Sequence, residues 1–259
     1  MLFIRLLTNL KLVNKNQDYP NLLRDFKKYF YGENYEHEKG ISENTIISQI
    51  HEMKRNHEVF SIFNNAIKES QEEENFRELF SSNRYLWNII LNDYFKSQAL
   101  FIRRLTDKNE KSASLISILN KIQRNLHYDE LNTKIFEIYK NSISKENLKY
   151  IEKLALDIKF TRMFSCQYIE DMKERLDSKE INEVRNYTDK YLAHADIAPK
   201  KVNLNINKIK NCHQVIIATF KSIYFLLFGA DGSFLTKVSL NKIDVLKNAN
   251  NPFLTNMPR

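Results

Sequence analysis

Glycine and proline are scarce, with four of each in 259 residues. β-Sandwiches and α/β folds need many turn-formers, so the scarcity argues against both. It favours long helices joined by short or polar loops. Cysteine is rarer still: only Cys166 and Cys212 are present. Neither lies in a CxxC and no His/Cys cluster surrounds them, which excludes a disulfide framework and a structural zinc site. Reduced, buried thiols in a cytosolic protein are expected. Long apolar runs are missing too. Val215 to Phe228 is the longest mostly apolar stretch; it contains Lys221 and is too short to span a bilayer. The apolar stretch Met1 to Leu7 is interrupted by Arg5 and lacks both a basic lead and a small-residue cleavage site, so it does not read as a signal peptide. The expectation is a soluble, cytoplasmic protein with no membrane partner.

What is present is charge and enough apolar mass for a core. Hydrophobic residues make up 42% of the chain, and the formal net charge is +8. A basic balance points to an anionic partner, nucleic acid first. The abundance of Lys, Asn and Ile gives a compositional reason for the same charge.

Apolar periodicity predicts helices through most of the chain. Two short helical patterns flank Pro20, the second from Leu22 to Tyr31, and Gly32 and Gly40 bracket a loop. Ser42 reads as the N-cap of a long helix carrying Ile46, Ile50, Met53, Phe60, Phe63 and Ile67. A helix over 76–105 ends in Arg103-Arg104. A short one carries Leu115, Ile118, Leu119 and Ile122, and further patterns cover 129–142 and 145–176. A last helix spans 205–228, with Gly229 at its C′ position. The tail beyond is polar, with room for one short strand. No internal repeat or low-complexity tract is present.

The richest stretch is Glu183 to Asp196. Asp177-x-x-Glu180 resembles a capping-box start for its helix. On an ideal wheel, Ile181, Val184, Thr188, Tyr191 and Ala195 form a packing stripe with Leu192 beside it. Arg185, Asp189 and Asp196 share a polar face, and Arg185 can pair with Asp189 at i,i+4. His194 falls roughly 180° from Arg185, with Lys190 one turn before it. A lone histidine beside an apolar stripe is commonly a packing residue. Tyr187 and Tyr191 serve equally well for packing or for stacking on bases.

Thr188-Asp189-Lys190-Tyr191-Leu192-Ala193-His194-Ala195-Asp196 resembles the Arg-Asp-Lys-x-x-Ala-His-x-Asp stretch of HEPN domains of the abortive-infection U type. A second block, Phe101-Ile102-Arg103-Arg104-Leu105-Thr106-Asp107 followed by Ser114 to Leu119, resembles that family's Arg-Leu-Thr-Asp … Leu-Ser-x-x-x-Leu element. Trp87 lies upstream at a fitting distance. Order and spacing hold from about residue 45 to 228. The resemblance implies an all-α, HEPN-like helical bundle (41–230) with an N-terminal helical extension (1–40) and a C-terminal tail (231–259). It also implies a homodimer whose motif helices meet across a cleft, and a role in abortive infection, antiviral defence or a toxin system.

The activity implied is metal-independent RNA cleavage, without a cofactor, or tight RNA binding. An adjacent 2′-OH attacks the phosphate; His194 would act as general acid or base. A guanidinium would stabilise the developing charge. The family's arginine position is Thr188 here. Arg185, Lys190 and Arg104 are the candidate replacements, with Asp189 orienting the site. Tyr187, Tyr191, Arg104 and Asp196 are candidate RNA-binding residues. RNA, tRNA among the candidates, and an antitoxin or defence-system protein are the expected partners. Two other readings stand beside the ribonuclease: a catalytically silent scaffold that binds RNA or a partner protein, and a helical interaction module with no nucleic-acid role.

Overall fold

A computed structural model describes residues 18–32, 44–70, 84–125, 166–193, 204–228 and 232–238. Within them the chain forms α1 (Asp18–Tyr31), α2 (Ile46–Ser70), α3 (Arg84–Leu105), α4 (Leu115–Asn125), α5 (Cys166–Leu176), α6 (Lys179–Tyr187) and α7 (Ile206–Phe228). A π-helical segment, Thr188–Ala193, continues α6, and a 3₁₀ turn, Gly232–Thr236, follows α7. The described residues contain no strand, and the all-α bundle expected from the sequence is the architecture formed. The patterns at 129–142 and 145–165, and the proposed caps Ser42 and Gly229, lie outside the described residues.

Helix α2 runs antiparallel to α3. Gln98 donates from Nε2 to the Met53 carbonyl at 3.2 Å, His57 meets Tyr94, and Phe60 stacks on Tyr94 and Trp87. Helix α7 supplies the largest share of the core, burying Ile209, Cys212, Ile216, Phe220, Ile223 and Tyr224. Phe30 of α1 is fully buried against Phe220, Tyr224 and Phe228 at ring separations of 5.4–5.9 Å. Aromatic pairs in such tilted and edge-on arrangements contribute about 0.5–1.5 kcal/mol each beyond area burial.

Local signals explain most boundaries, with three departures. Pro20 does not stand ahead of the helix expected from Leu22 but inside α1, in its first turn, where its missing N–H would have had no helical partner; the pattern expected before Pro20 lies outside the described residues. The residue that caps α2 is Thr45, whose Oγ1 accepts the Ser48 N–H at 3.2 Å. Gly32 closes α1 as expected, with φ 94° and its N–H donated to the Lys28 carbonyl at 2.8 Å. That backbone conformation is the one in which glycine is favoured over other residues. The third departure is at α6. Ser178, not Asp177, is the capping residue and makes no side-chain cap bond, while the Asp177 carboxylate pairs with Lys108 and Arg185. Both cysteines are free, but only Cys212 is buried; Cys166 is exposed, contrary to expectation. Burial, then Glu180 nearby, pushes the Cys212 thiol up to about 12.

Candidate functional site

The packing stripe of α6 is placed as its spacing requires from Ile181 to Thr188; the side chains of Tyr191, Leu192 and Ala195 lie outside the described residues. Ile181 and Val184 are fully buried, and Thr188 is 2% exposed. The Thr188 hydroxyl lies 3.0 Å from the Val184 carbonyl and 3.3 Å from the Ala99 carbonyl of α3. Bonding back to the i−4 carbonyl is the usual way a threonine satisfies its hydroxyl inside a helix. The side chain at the position of the family's arginine is therefore neutral, buried and engaged with two backbone acceptors.

Arg185 and Asp189, expected to pair, have different partners. Arg185 is 13% exposed and reaches back along its own helix. Its Nη2 donates to the Leu176 carbonyl at 2.7 Å, its Nη1 to Asp177 at 3.1 Å and its Nε to the Thr106 hydroxyl at 3.2 Å. It ties the C-terminal ends of α5 and α3 to α6. Burial raises the Asp177 carboxyl, but Lys108 and Arg185 outweigh it and hold the group below its ordinary value.

Asp189 faces α3. Its Oδ1 accepts a hydrogen bond from Arg103 Nε at 2.6 Å. Arg103 Nη1 lies 3.7 Å from Asp107, one turn along its own helix. The Asp189 hydrogen bond, more than any other influence, holds the Arg103 guanidinium even more firmly protonated than usual. Arg103 and Asp189 remain 39% and 46% exposed, so the pair stands at the surface. Its Coulombic contribution to stability is small, about 0.2–1 kcal/mol.

The segment that begins at Thr188 is π-helical through Ala193. Such segments are rare, and they occur often at functional sites. A wheel drawn at a constant 100° per residue therefore stops applying at Thr188. The angle it assigned between Arg185 and His194 rested on an uninterrupted α-helix. His194 and Asp196 lie outside the described residues, as does the side chain of Tyr191. Lys190 is exposed on the π segment, and Arg104 is exposed at the end of α3. Tyr187 is half-buried against the core.

The second sequence block forms a clamp at the α3–α4 junction. The Thr106 hydroxyl donates to the Ile102 carbonyl at 2.7 Å while accepting from Arg185. Asp107 Oδ1 accepts the Asn109 N–H at 3.0 Å, an Asx turn of the kind that short polar side chains favour. Ser114 donates to the Asp107 carbonyl at 2.6 Å and accepts the Ser117 N–H at 3.1 Å. It thus caps α4 and closes the loop together. The block's Thr, Asp and Ser are accounted for by this geometry, and Arg103 and Arg104 are the residues it leaves on the outside.

A cluster the sequence reading missed lies between α2, α3 and α7. His57 Nδ1 is 2.6 Å from the Tyr94 hydroxyl, and the His57 and His213 rings meet edge-on at 5.0 Å. His213 is buried, and its Nε2 has no hydrogen-bond partner among the described residues. Burial, then His57 and Lys54, lowers His213 to about 3. Burial and Lys210 lower His57 as well. The available signal was a histidine inside each apolar stripe, at 57 between Met53 and Phe60 and at 213 between Ile209 and Ile216.

Among the described residues, no group of three His, Cys, Asp or Glu side chains is placed to hold a metal ion. No helix among them is long and apolar enough to cross a membrane. In comparisons with known proteins, the model of a HEPN family, described as AbiU2, matches residues 47–230. No curated protein and no solved structure matches the chain.

Proposed function

The chain belongs to the AbiU2 family of HEPN domains, which ties it to abortive infection, and from that premise we propose that it acts on RNA as a metal-independent endoribonuclease of antiphage defence. The observation that carries this reading is the 2.6 Å contact between Arg103 and Asp189. It joins the two sequence blocks of the resemblance, 86 positions apart, and sets a charged, solvent-facing pair at the head of the segment that leads to His194. In the proposed reaction, the 2′-OH attacks the adjacent phosphorus, a 2′,3′-cyclic phosphate forms, and the 5′ oxygen leaves with a proton. His194 transfers protons between these oxygens as general acid or base, the role an imidazole fills near neutral pH. Asp189 orients the site, Lys190 and Arg104 contact phosphates, and Tyr187, Tyr191 and Asp196 contact the RNA beyond the cut. Arg185, bound on three sides, holds the motif helix in place. The proposal includes a homodimer, tRNA among the substrates, and an antitoxin or defence-system partner.

The buried Thr188 supports a second reading, a silent HEPN scaffold that binds RNA or a partner without cutting. One experiment separates the two. Purified protein is incubated with tRNA and total RNA in EDTA, beside His194→Ala. Cleavage that His194→Ala abolishes supports the nuclease. Intact RNA sinks it, and salt-sensitive RNA binding without turnover then favours the scaffold.

A further inference from the structure

We infer that Arg103, on α3, is the phosphate-binding cation of this site, the guanidinium that the motif helix itself lacks at Thr188. The inference rests on the RNA-directed reading above and deepens it.

Three observations carry it. First, the chain positions 188 and 189 against the same face of α3, one turn apart: Thr188 meets the Ala99 carbonyl and Asp189 meets Arg103. Arg103 is thereby brought to the motif position that follows the missing arginine. Second, the pairing orients Arg103 without consuming it. Asp189 takes the Nε–H, and Asp107 lies at ion-pair distance from Nη1 without a hydrogen bond. A guanidinium has five N–H donors in a fixed fork, and a single hydrogen bond to another side chain leaves its two-nitrogen end for the paired contact that phosphate accepts best. With 39% of its side chain exposed, Arg103 is open to such a ligand. Third, the alternatives are placed differently. Arg185 is held by Leu176, Asp177 and Thr106. Arg104 is exposed but has no carboxylate partner within ion-pair distance among the described residues, so nothing there fixes its direction.

The test uses the full chain and two readouts. The ¹⁵Nε–H signal of Arg103, assigned by its loss in Arg103→Lys, is followed by NMR during titration with uridine 3′-monophosphate, with uridine as the phosphate-free control. Binding and EDTA-resistant cleavage of single-stranded RNA are then compared for wild type, Arg103→Gln, Arg103→Lys and Arg104→Gln. The nucleotide should shift the Arg103 signal and uridine should not. Arg103→Gln should lower cleavage about 10²-fold, the cost of losing a donor to the developing charge. It should also reduce the salt slope of binding by about 0.7, one phosphate contact. Arg103→Lys should recover part of the binding and little of the cleavage, because a point charge replaces a fork. Arg104→Gln should weaken binding uniformly across sequences, as the loss of one phosphate contact does, and leave the Arg103 signal and its response to the nucleotide in place.

If wild type cuts RNA and Arg103→Gln cuts it equally well, the inference is overturned and the nuclease reading stands. If wild type leaves RNA whole but the nucleotide still shifts Arg103, the phosphate site is supported and the nuclease reading falls. An Arg103 signal indifferent to the nucleotide overturns the inference whatever the cleavage result. Should Arg103→Gln fail to fold, the wild-type titration decides alone. A purely structural role for Arg103 would change the melting temperature but not the phosphate-specific shift or the salt slope.

Discussion

Thr188 and Ala99 meet through a hydroxyl–carbonyl contact of 3.3 Å in a space with 2% of the threonine exposed. An arginine introduced there would bury its charge against the Ala99 and Val184 carbonyls, with no carboxylate among the Thr188 contacts of the described residues. Thr188→Arg is therefore expected to destabilise the fold by about 3–5 kcal/mol, the scale for an uncompensated buried charge. Thr188→Val should cost only about 1 kcal/mol, the value of one net hydrogen bond. Urea denaturation of both variants checks the ranking. A Thr188→Arg variant as stable as wild type would show that the position opens to solvent.

Arg185 should matter to stability more than Arg103 does. Its three hydrogen bonds join three helices at 13% exposure. Arg185→Ala leaves the Leu176 carbonyl and Asp177 without this donor, at a cost of roughly 2–3 kcal/mol. Arg103→Gln removes a half-exposed pair and should cost under about 1 kcal/mol. Thermal melts at matched buffer conditions would reverse this order if Arg185 were instead reaching outward.

The histidine pair predicts an acid-sensitive core. Folded His213 stays neutral down to about 3, whereas in the unfolded chain it takes up a proton near 6.5. Between these values the unfolded state binds more protons, so stability rises with pH through this window and is lost as pH falls. His57 is lowered in the same direction. The expected loss from pH 7 to pH 4 is on the order of a few kcal/mol. Urea midpoints across that range should fall steeply for wild type. They should fall less for His213→Leu, which also removes the unpartnered Nε2. Parallel slopes for the two proteins would mean that His213 is hydrated.

Ser114 tests what the second sequence block does. It is fully buried, caps α4 and closes the preceding loop. Ser114→Ala is expected to cost about 1–2 kcal/mol, the range for losing an N-cap, with RNA affinity unchanged once the variant is folded. A large loss of RNA binding at full stability would assign the block a direct contact instead.

Much of this fold could be read in advance because helical periodicity and apolar spacing are local. The stripe Ile181–Val184–Thr188, the α4 residues Leu115, Ile118, Leu119 and Ile122, and the termination of α1 at Gly32 all follow from neighbours within one or two turns. The candidate site was less legible because its partners are set by tertiary contact. Asp189 was equally able to pair with Arg185 on its own helix, and nothing within that helix reveals that α3 offers Arg103. Arg103 itself lies in the last turn of α3, where any basic residue complements the helix end. The start of α1 was placed late, at Leu22, because a proline stops a helix as readily as it fits the first turn of one. The His57–Tyr94–His213 cluster escaped for a similar reason: each residue lies in the pattern of its own helix, and only the packing of α2, α3 and α7 brings them together.

The π segment has a consequence for how this protein responds to change. A helix converts distance along the chain into direction, and here the conversion factor itself shifts between Tyr187 and Ala193. The contacts at the point of change, Thr188 with Ala99 and Asp189 with Arg103, belong half to α3. The pitch of the motif helix is thus partly written on another helix. A bulkier residue at Ala99, in the body of α3, would act as a turn of the screw: it would rewind the segment and re-aim its side chains while every letter of the motif stayed the same.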